Sequence, residues 1–265
     1  MKLLDWVPLE KLYWHALSAN PGAIHLLEKN PEKILWDYLT QNPNAIHLLE
    51  KNPEKIYWHW LSKNPNAIHL LEKNLDKIDW YLLSSYNTNA IHLLEKNPKK
   101  ILWDYLAQNP NAIHLLEKNP EKINWNFLSQ NPNAIHLLVK NPEKIEWWRL
   151  SANPGAINLL EKNPEKIDWN FLSQNPNAIH ILEKNLDKVY WRYLSMNPSA
   201  IHILEKNQDK IDWVWLSMNP AIFEEDYQAL SKERTEVLRE ELIQITWHPG
   251  RMRSWCLEHD DEFAT

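Results

Sequence analysis

Glycine is nearly missing, with three residues in a chain of 265. That leaves no room for a Gly-rich loop that cradles phosphate. The one cysteine, Cys256, excludes an internal disulfide framework and fits a reducing compartment. No apolar run approaches the ~20 residues of a membrane helix. The opening Met1-Lys2-Leu3-Leu4-Asp5-Trp6 has no apolar h-region, so an intracellular rather than a secreted protein is expected. There is no His-Glu-x-x-His pair and no serine in a nucleophile elbow. The chain is therefore not expected to be an enzyme, and no cofactor or metal is called for. What is plentiful is equally specific. Apolar residues make up 44%, enough for a folded core. There are 16 Trp and 17 Pro, and 15 of the prolines directly follow Asn.

Both excesses come from an internal repeat. Asn-Pro-Asn-Ala-Ile-His-Leu-Leu-Glu-Lys-Asn-Pro-Glu-Lys-Ile recurs every 22 residues, anchored on Ala23, Ala45, Ala67, Ala90, Ala112, Ala134, Ala156, Ala178 and Ala200. A Trp column runs in step: Trp14, Trp36, Trp58, Trp80, Trp103, Trp125, Trp147, Trp169, Trp191 and Trp213. One step, Trp80 to Trp103, is 23 residues, with the extra residue inside Ser84-Ser85-Tyr86-Asn87-Thr88-Asn89. An insertion is tolerated in a connector, so the junction before each Ala reads as a loop.

Asn-Pro is the punctuation. Proline pushes the preceding residue out of the helical region, which is what an N-cap requires, and it costs no hydrogen bond at the first helical position. Asn is among the best N-caps because its side-chain oxygen accepts an orphan N–H. Each Asn-Pro should therefore end one helix and begin the next. The pieces, such as 21–29 and 31–41, are too short to stand alone and must be stabilised by stacking. Two helices per repeat are expected. The alternative is three, because the position after the Ile is polar in about half the repeats (Asp79, Asn124, Glu146, Asp168, Asp212) and could cap a short Trp-x-x-Leu-Ser helix.

The Trp column reads as core packing, since each ring can bury ~150–250 Å². Trp60, Trp148 and Trp215 lie off it and are better candidates for exposed contacts. A second column holds His25, His47, His69, His92, His114, His136, His180 and His202, with Asn158 in the remaining repeat. Metal does not suit it: ligands sit ~2 Å from an ion, whereas stacked helices are ~10 Å apart. These read as surface histidines, with a partner-contact stripe as the functional alternative.

Three segments follow. Residues 1–19 are an N-terminal cap and half repeat, 20–219 the tandem repeats, and 220–265 a C-terminal helical cap with an acidic tail. Residues 231–246 read as an amphipathic helix with Val237, Leu238, Leu242 and Ile245 on one face. Cys256, near His248 and His259, reads as a small apolar residue in a capping helix, and His259-Asp260-Asp261-Glu262 as an exposed acidic end. Residues 1–220 carry 24 basic and 24 acidic side chains; 221–265 carry 5 and 11. The net charge of −6 lies wholly in the tail, and a neutral array argues against nucleic acid.

The unit Asn-Pro-Asn-Ala-Ile-His-Leu-Leu-Glu-Lys-Asn-Pro-Glu-Lys-Ile-x-Trp-x-x-Leu-Ser resembles short tandem repeats encoded by large nucleocytoplasmic DNA viruses, across residues 10–222. The ending Thr246-Trp247-His248-Pro249-Gly250-Arg251 is similar to a C-terminal signature of reading frames from those viruses. The resemblance implies a viral protein made in a host cell, and no catalytic residues.

The expected fold is an all-α solenoid of short helical-hairpin repeats with capped ends, running ~90 Å at ~10 Å per repeat. The expected function is a non-enzymatic scaffold that binds an unidentified protein partner, without a membrane, as a monomer. Specificity should lie where the repeats differ. The position after each Trp is one such column: His15, Asp37, His59, Tyr81, Asp104, Asn126, Trp148, Asn170, Arg192 and Val214. The position before each Asn-Pro is a second such column, among it Ala19, Gln41, Lys63, Gln108, Gln130, Ala152, Gln174, Met196 and Met218. The alternatives are a self-assembling virion component and a single-stranded nucleic-acid binder reading one base per repeat.

Overall fold

The computed structural model describes residues 1–246. They divide into two bodies: Leu3–Phe223, and Met1–Lys2 with the residues from Glu224 onward. Cys256, His248, His259 and the acidic end lie outside the described residues.

The first body is an all-α repeat array, as the periodicity predicts. Its repeat, however, has three helical pieces rather than two. In the repeat that begins at Asn131, a one-turn 3-10 helix Pro132–Ala134 runs directly into the α-helix Ile135–Lys140. A second 3-10 turn, Pro142–Lys144, follows, and then the α-helix Trp147–Ser151. The second segment breaks because two residues between turn and Trp helix are extended: Ile145 at φ −73°, ψ 123° and Glu146 at φ −89°, ψ 97°. The polar residue at that break caps the Trp helix in four repeats. Asp79, Asn124, Asp168 and Asp212 each accept backbone N–H bonds from its first turn. Glu146 makes no such bond.

The two Asn-Pro junctions also differ. The first Asn caps as expected: Asn131 Oδ1 accepts the N–H of Asn133 at 3.0 Å. The second does not. Asn141 Nδ2 instead donates back to the carbonyl of Leu137 at 2.9 Å, closing the helix before it. One residue type thus starts a helix at one junction and ends a helix at the other.

The inserted residue is not in a loop. The Trp helix lengthens to Trp80–Tyr86, and Asn87 then resumes the capping position. The extra residue adds to the helix end, so no later side chain is displaced.

The repeats are joined by buried Asn side chains. Asn131 is fully buried, and its Nδ2 donates to two carbonyls of the preceding repeat, Ala107 at 2.9 Å and Asn109 at 2.9 Å. The same pair of bonds recurs from Asn42, Asn64, Asn87, Asn109, Asn153, Asn175, Asn197 and Asn219. Buried Ala and Leu columns pack beneath it, Ala45, Ala67, Leu49 and Leu71 among them.

The array does not end in polar caps. Asn20, in the first repeat, donates to Ser217 O at 2.9 Å and Asn219 O at 3.0 Å, in the last. The backbone N–H of Tyr13 donates to Ser217 Oγ at 3.0 Å, as that of Glu146 does to Ser129 Oγ. Lys11 lies 4.6 Å over the Trp213 ring, as Lys144 lies 4.5 Å over that of Trp125. The body Leu3–Phe223 therefore closes on itself as a ring. Its closing repeat is split, with Asn219–Phe223 from one end and Leu3–Ala19 from the other. In place of its missing helix, Leu3, Leu4, Trp6 and Val7 pack on the core, and Leu4 N–H donates to Ile222 O at 2.9 Å. The half repeat at the start is legible in the sequence; that it completes the repeat begun at Asn219 is not. An axial run of ~90 Å does not apply to a closed ring.

Two-residue strands, Lys2–Leu3 and Phe223–Glu224, pair as a ribbon. In the second body, Lys2 and Glu224 form an ion pair at 3.0 Å. Its helix is Tyr227–Thr246, starting before the expected 231, and Val237, Leu238 and Leu242 on it are exposed.

Candidate functional site: the converging face of the ring

The Trp helix decides which side chains meet the solvent. At about 100° per residue, the Trp and the third and fourth residues after it share one face. The first, second and fifth share the opposite arc. The former are packed: Trp125 is half-buried, and Leu128 and Ser129 are fully buried. The Trp column is thus a wall of the core, and a lysine of the next repeat stacks over most of its rings. Lys33, Lys55, Lys77, Lys122, Lys144, Lys166, Lys188 and Lys210 lie 4.4–4.7 Å from the rings of Trp14, Trp36, Trp58, Trp103, Trp125, Trp147, Trp169 and Trp191. Stacked cations of this kind each contribute roughly 0.5–1 kcal/mol at exposed sites.

The opposite arc holds both variable columns and a third that sequence reasoning passed over. The second residue after the ladder Trp is Tyr38, Trp60, Tyr105, Phe127, Phe171, Tyr193 or Trp215 in seven repeats. The signal was present, but Tyr38 read as part of the apolar side and Trp60 and Trp215 as unrelated extras. These rings form a row from repeat to repeat. Tyr81 meets Tyr105 at 4.4 Å between centroids and Tyr105 meets Phe127 at 5.3 Å. Trp148 meets Phe171 at 4.9 Å, Phe171 meets Tyr193 at 5.9 Å and Tyr193 meets Trp215 at 5.8 Å. His15 and Tyr38 form a separate pair of the same kind, at 5.3 Å. Tilted and edge-on geometries match the ring quadrupoles.

The row is interrupted at Arg149, whose guanidinium bridges the gap 4.4 Å from both Phe127 and Trp148. Its Nη1 donates to Gln130 Oε1 at 3.1 Å, and its Nε is buried without a partner among the described residues. Burial holds the Arg149 guanidinium below its ordinary pKa; the charges of Tyr86 and Glu146 oppose that shift. Tyr86 lies three repeats before Arg149, yet it is in electrostatic reach. Side chains pointing outward from a ring diverge, and those pointing inward converge, so this face is the converging one. Crowding there has other effects. Burial lowers the Lys63 ammonium. Burial raises the Tyr81 phenol, and the charge and hydrogen bond of Tyr86, with Tyr105 and Asp79, add to the rise.

The predicted residues after each Trp are all on or beside this face, but they differ in their partners. His59 Nδ1 pairs with Asp79 Oδ2 at 2.7 Å, Asp104 Oδ1 accepts from Asn124 Nδ2 at 3.2 Å, and Arg192 lies 3.9 Å from Asp212. Tyr81 and Trp148 join the aromatic row. Asp37 and Asn126 are half-buried and Asn170 is exposed.

The histidine column lies elsewhere, on the helices that follow each Ala. Its members are spent on the joints between repeats. His47, His69, His92, His114, His136, His180 and His202 place Nε2 2.6–3.3 Å from Glu28, Glu50, Glu72, Glu95, Glu117, Glu161 and Glu183 of the preceding repeat. His25, in the repeat that follows the split one, turns to Glu28 of its own helix at 3.5 Å. The one repeat without His explains itself. Asn158 faces the repeat in which Glu is replaced by Val139, so both members of the pair change together.

No family model matches the chain, and no curated protein or solved structure matches it. Among the described residues no helix is long and apolar enough to cross a membrane, and no group of three His, Cys, Asp or Glu is placed to hold a metal ion.

Proposed function

We propose that this is a non-enzymatic interaction protein that docks a segment of a protein partner on the converging face. It is made in the host cell, as the resemblance of its repeat to viral sequences implies. The observation that carries the reading is the contrast in composition around one ring. The Ala helices repeat His, Glu and Lys, whereas the converging face gathers Tyr38, Trp60, Tyr105, Trp148, Arg149 and Phe171 among Gln and Asn. Aromatic residues and Arg, with Lys, Glu and Asp depleted, are what the energetic centres of protein interfaces share.

The rings would also suit stacked bases. Few cations accompany them, however, and Asp37 and Asp104 offset Lys63 and Arg192, so the electrostatic footprint of a nucleic-acid binder is lacking. Closure weighs against the self-assembling alternative, since both ends of the Asn ladder are already paired.

The test is affinity capture from cell lysate by the intact chain and two variants. Trp148→Ala with Phe171→Ala should lose the captured partner, because central aromatic residues contribute about 2 kcal/mol or more each. His114→Ala with His136→Ala, off the face, should retain it. A partner set unchanged by the first variant, or salt-dependent binding to an oligonucleotide instead, would replace this reading.

A further inference from the structure

Two departures from the repeat share the converging face. Tyr86 is the inserted residue, and Arg149 stands where other repeats place a ring. They come from repeats three apart, yet each is in electrostatic reach of the other. Arg149 is held rigidly, with Phe127 and Trp148 each 4.4 Å from the guanidinium and Gln130 accepting from Nη1. No carboxylate of the described residues comes within ion-pair distance of it. Its Nε is buried with no acceptor. A planar, always-charged group, clamped between rings and unpaired, is an expensive thing to keep in a face otherwise built of rings and amides.

We infer that Arg149 is the anchor for a carboxylate, supplied by a Glu or Asp side chain of the docked partner segment. The inference rests on the proposal that a protein segment docks here. A guanidinium fork matches a carboxylate in plane and spacing. The flanking rings shield the guanidinium in part and so strengthen the pairing. Tyr86, which is hydrogen-bonded to Tyr81, is in electrostatic reach of the guanidinium. A carboxylate fits better than a phosphoryl group, which is usually met by a cluster of Arg rather than a single one.

The test uses the full chain and three labelled short peptides: alternating Glu and Tyr, alternating Gln and Tyr, and alternating Lys and Tyr. Fluorescence anisotropy reads their Kd. The Glu peptide should bind at least about tenfold tighter than the Gln peptide, the worth of a charge-assisted bond. The Lys peptide should bind weakest. Arg149→Gln should erase the Glu preference, bringing the Glu and Gln peptides to the same Kd. Arg149→Lys, which keeps the charge and loses the fork, should retain only part of it. Equal binding of Glu and Gln peptides by the intact chain, both weakened by Trp148→Ala, would overturn the anchor and leave the docking face standing. Displacement of the Glu peptide by inorganic phosphate but not by free glutamate would overturn it in favour of a phosphate site. Failure of all three peptides to bind would overturn both readings.

Discussion

The Asn ladder and the converging face are built from the same repeats, and they obey opposite rules. The ladder is nearly invariant within the chain. The same Asn makes the same two bonds at every joint, including the split one. The face changes from repeat to repeat, through Asp37, His59, Tyr81, Trp148 and Arg192. The difference teaches where each region's free energy is needed. A fully buried amide has one geometry that satisfies an acceptor and both donor hydrogens, so any change leaves a desolvated polar group. A half-exposed ring has many acceptable neighbours, so substitutions there leave the fold intact and are free to follow a partner.

The sharpest way to break that contrast is Asn131→Asp. The shape is kept, but both donors to Ala107 O and Asn109 O become an acceptor facing two acceptors. An unpaired buried charge costs about 3–5 kcal/mol. Chemical denaturation should show a loss of that size, against less than ~0.5 kcal/mol for Asn170→Asp on the exposed face. Comparable losses at the two sites would erase the distinction between ladder and face.

The next effect compares the joint of the split repeat with an interior one. Asn20→Ala and Asn131→Ala remove the same pair of bonds, one pair to residues 197 and 199 positions away and one pair to the adjacent repeat. Each should cost about 1–3 kcal/mol through unsatisfied buried carbonyls. In a closed ring the two losses agree. In an open array Asn20 would have nothing to bind, and its substitution would be nearly silent.

A smaller effect sharpens the packing of the joints. Gly155 stands where most repeats have Asn, and there the neighbouring repeat comes closer. A Cβ would lie 2.6 Å from Pro132 O and 3.2 Å from an Ile135 side-chain carbon. Gly22, beside the split repeat, is similarly crowded by Phe223 and Pro220 O. Gly155→Ala should destabilise by about 1–3 kcal/mol, despite its gain in helix propensity, because the contact is with backbone. A stabilised variant would mean the repeats can separate freely at that joint.

These joints show how much was legible beforehand. The period, the all-α class, the Asn caps and the variable columns follow from local sequence, because helix boundaries here are set by residues next to one another. The three-piece repeat was only half legible: Asp168 after Ile167 suggested a cap, but Glu146 in the same position does not cap. Closure was illegible. Each joint adds a small fixed rotation, and whether these rotations close the circle depends on their sum, which no motif encodes. The approach of Tyr86 to within electrostatic reach of Arg149 depends on that sum too, so the surroundings of the candidate anchor could not be assembled from spacing alone.

The smallest effect tests the outer surface, where the repeat does vary but only in pairs. His136 and Glu117 are both about half-exposed and lie 2.9 Å apart. Exposed ion pairs contribute about 0.2–1 kcal/mol. At the next joint the pair is replaced by Val139 and Asn158. Installing Val139→Glu with Asn158→His should therefore return a coupling energy of about 0.2–1 kcal/mol in a double-mutant cycle, reduced by added salt. Either substitution alone should gain nothing, because a lone Glu or His has no partner across the joint. That asymmetry separates a column kept for repeat-to-repeat pairing from one kept for a partner. A partner-facing column would lose binding when His136 is replaced, whereas a pairing column loses only its coupling to Glu117.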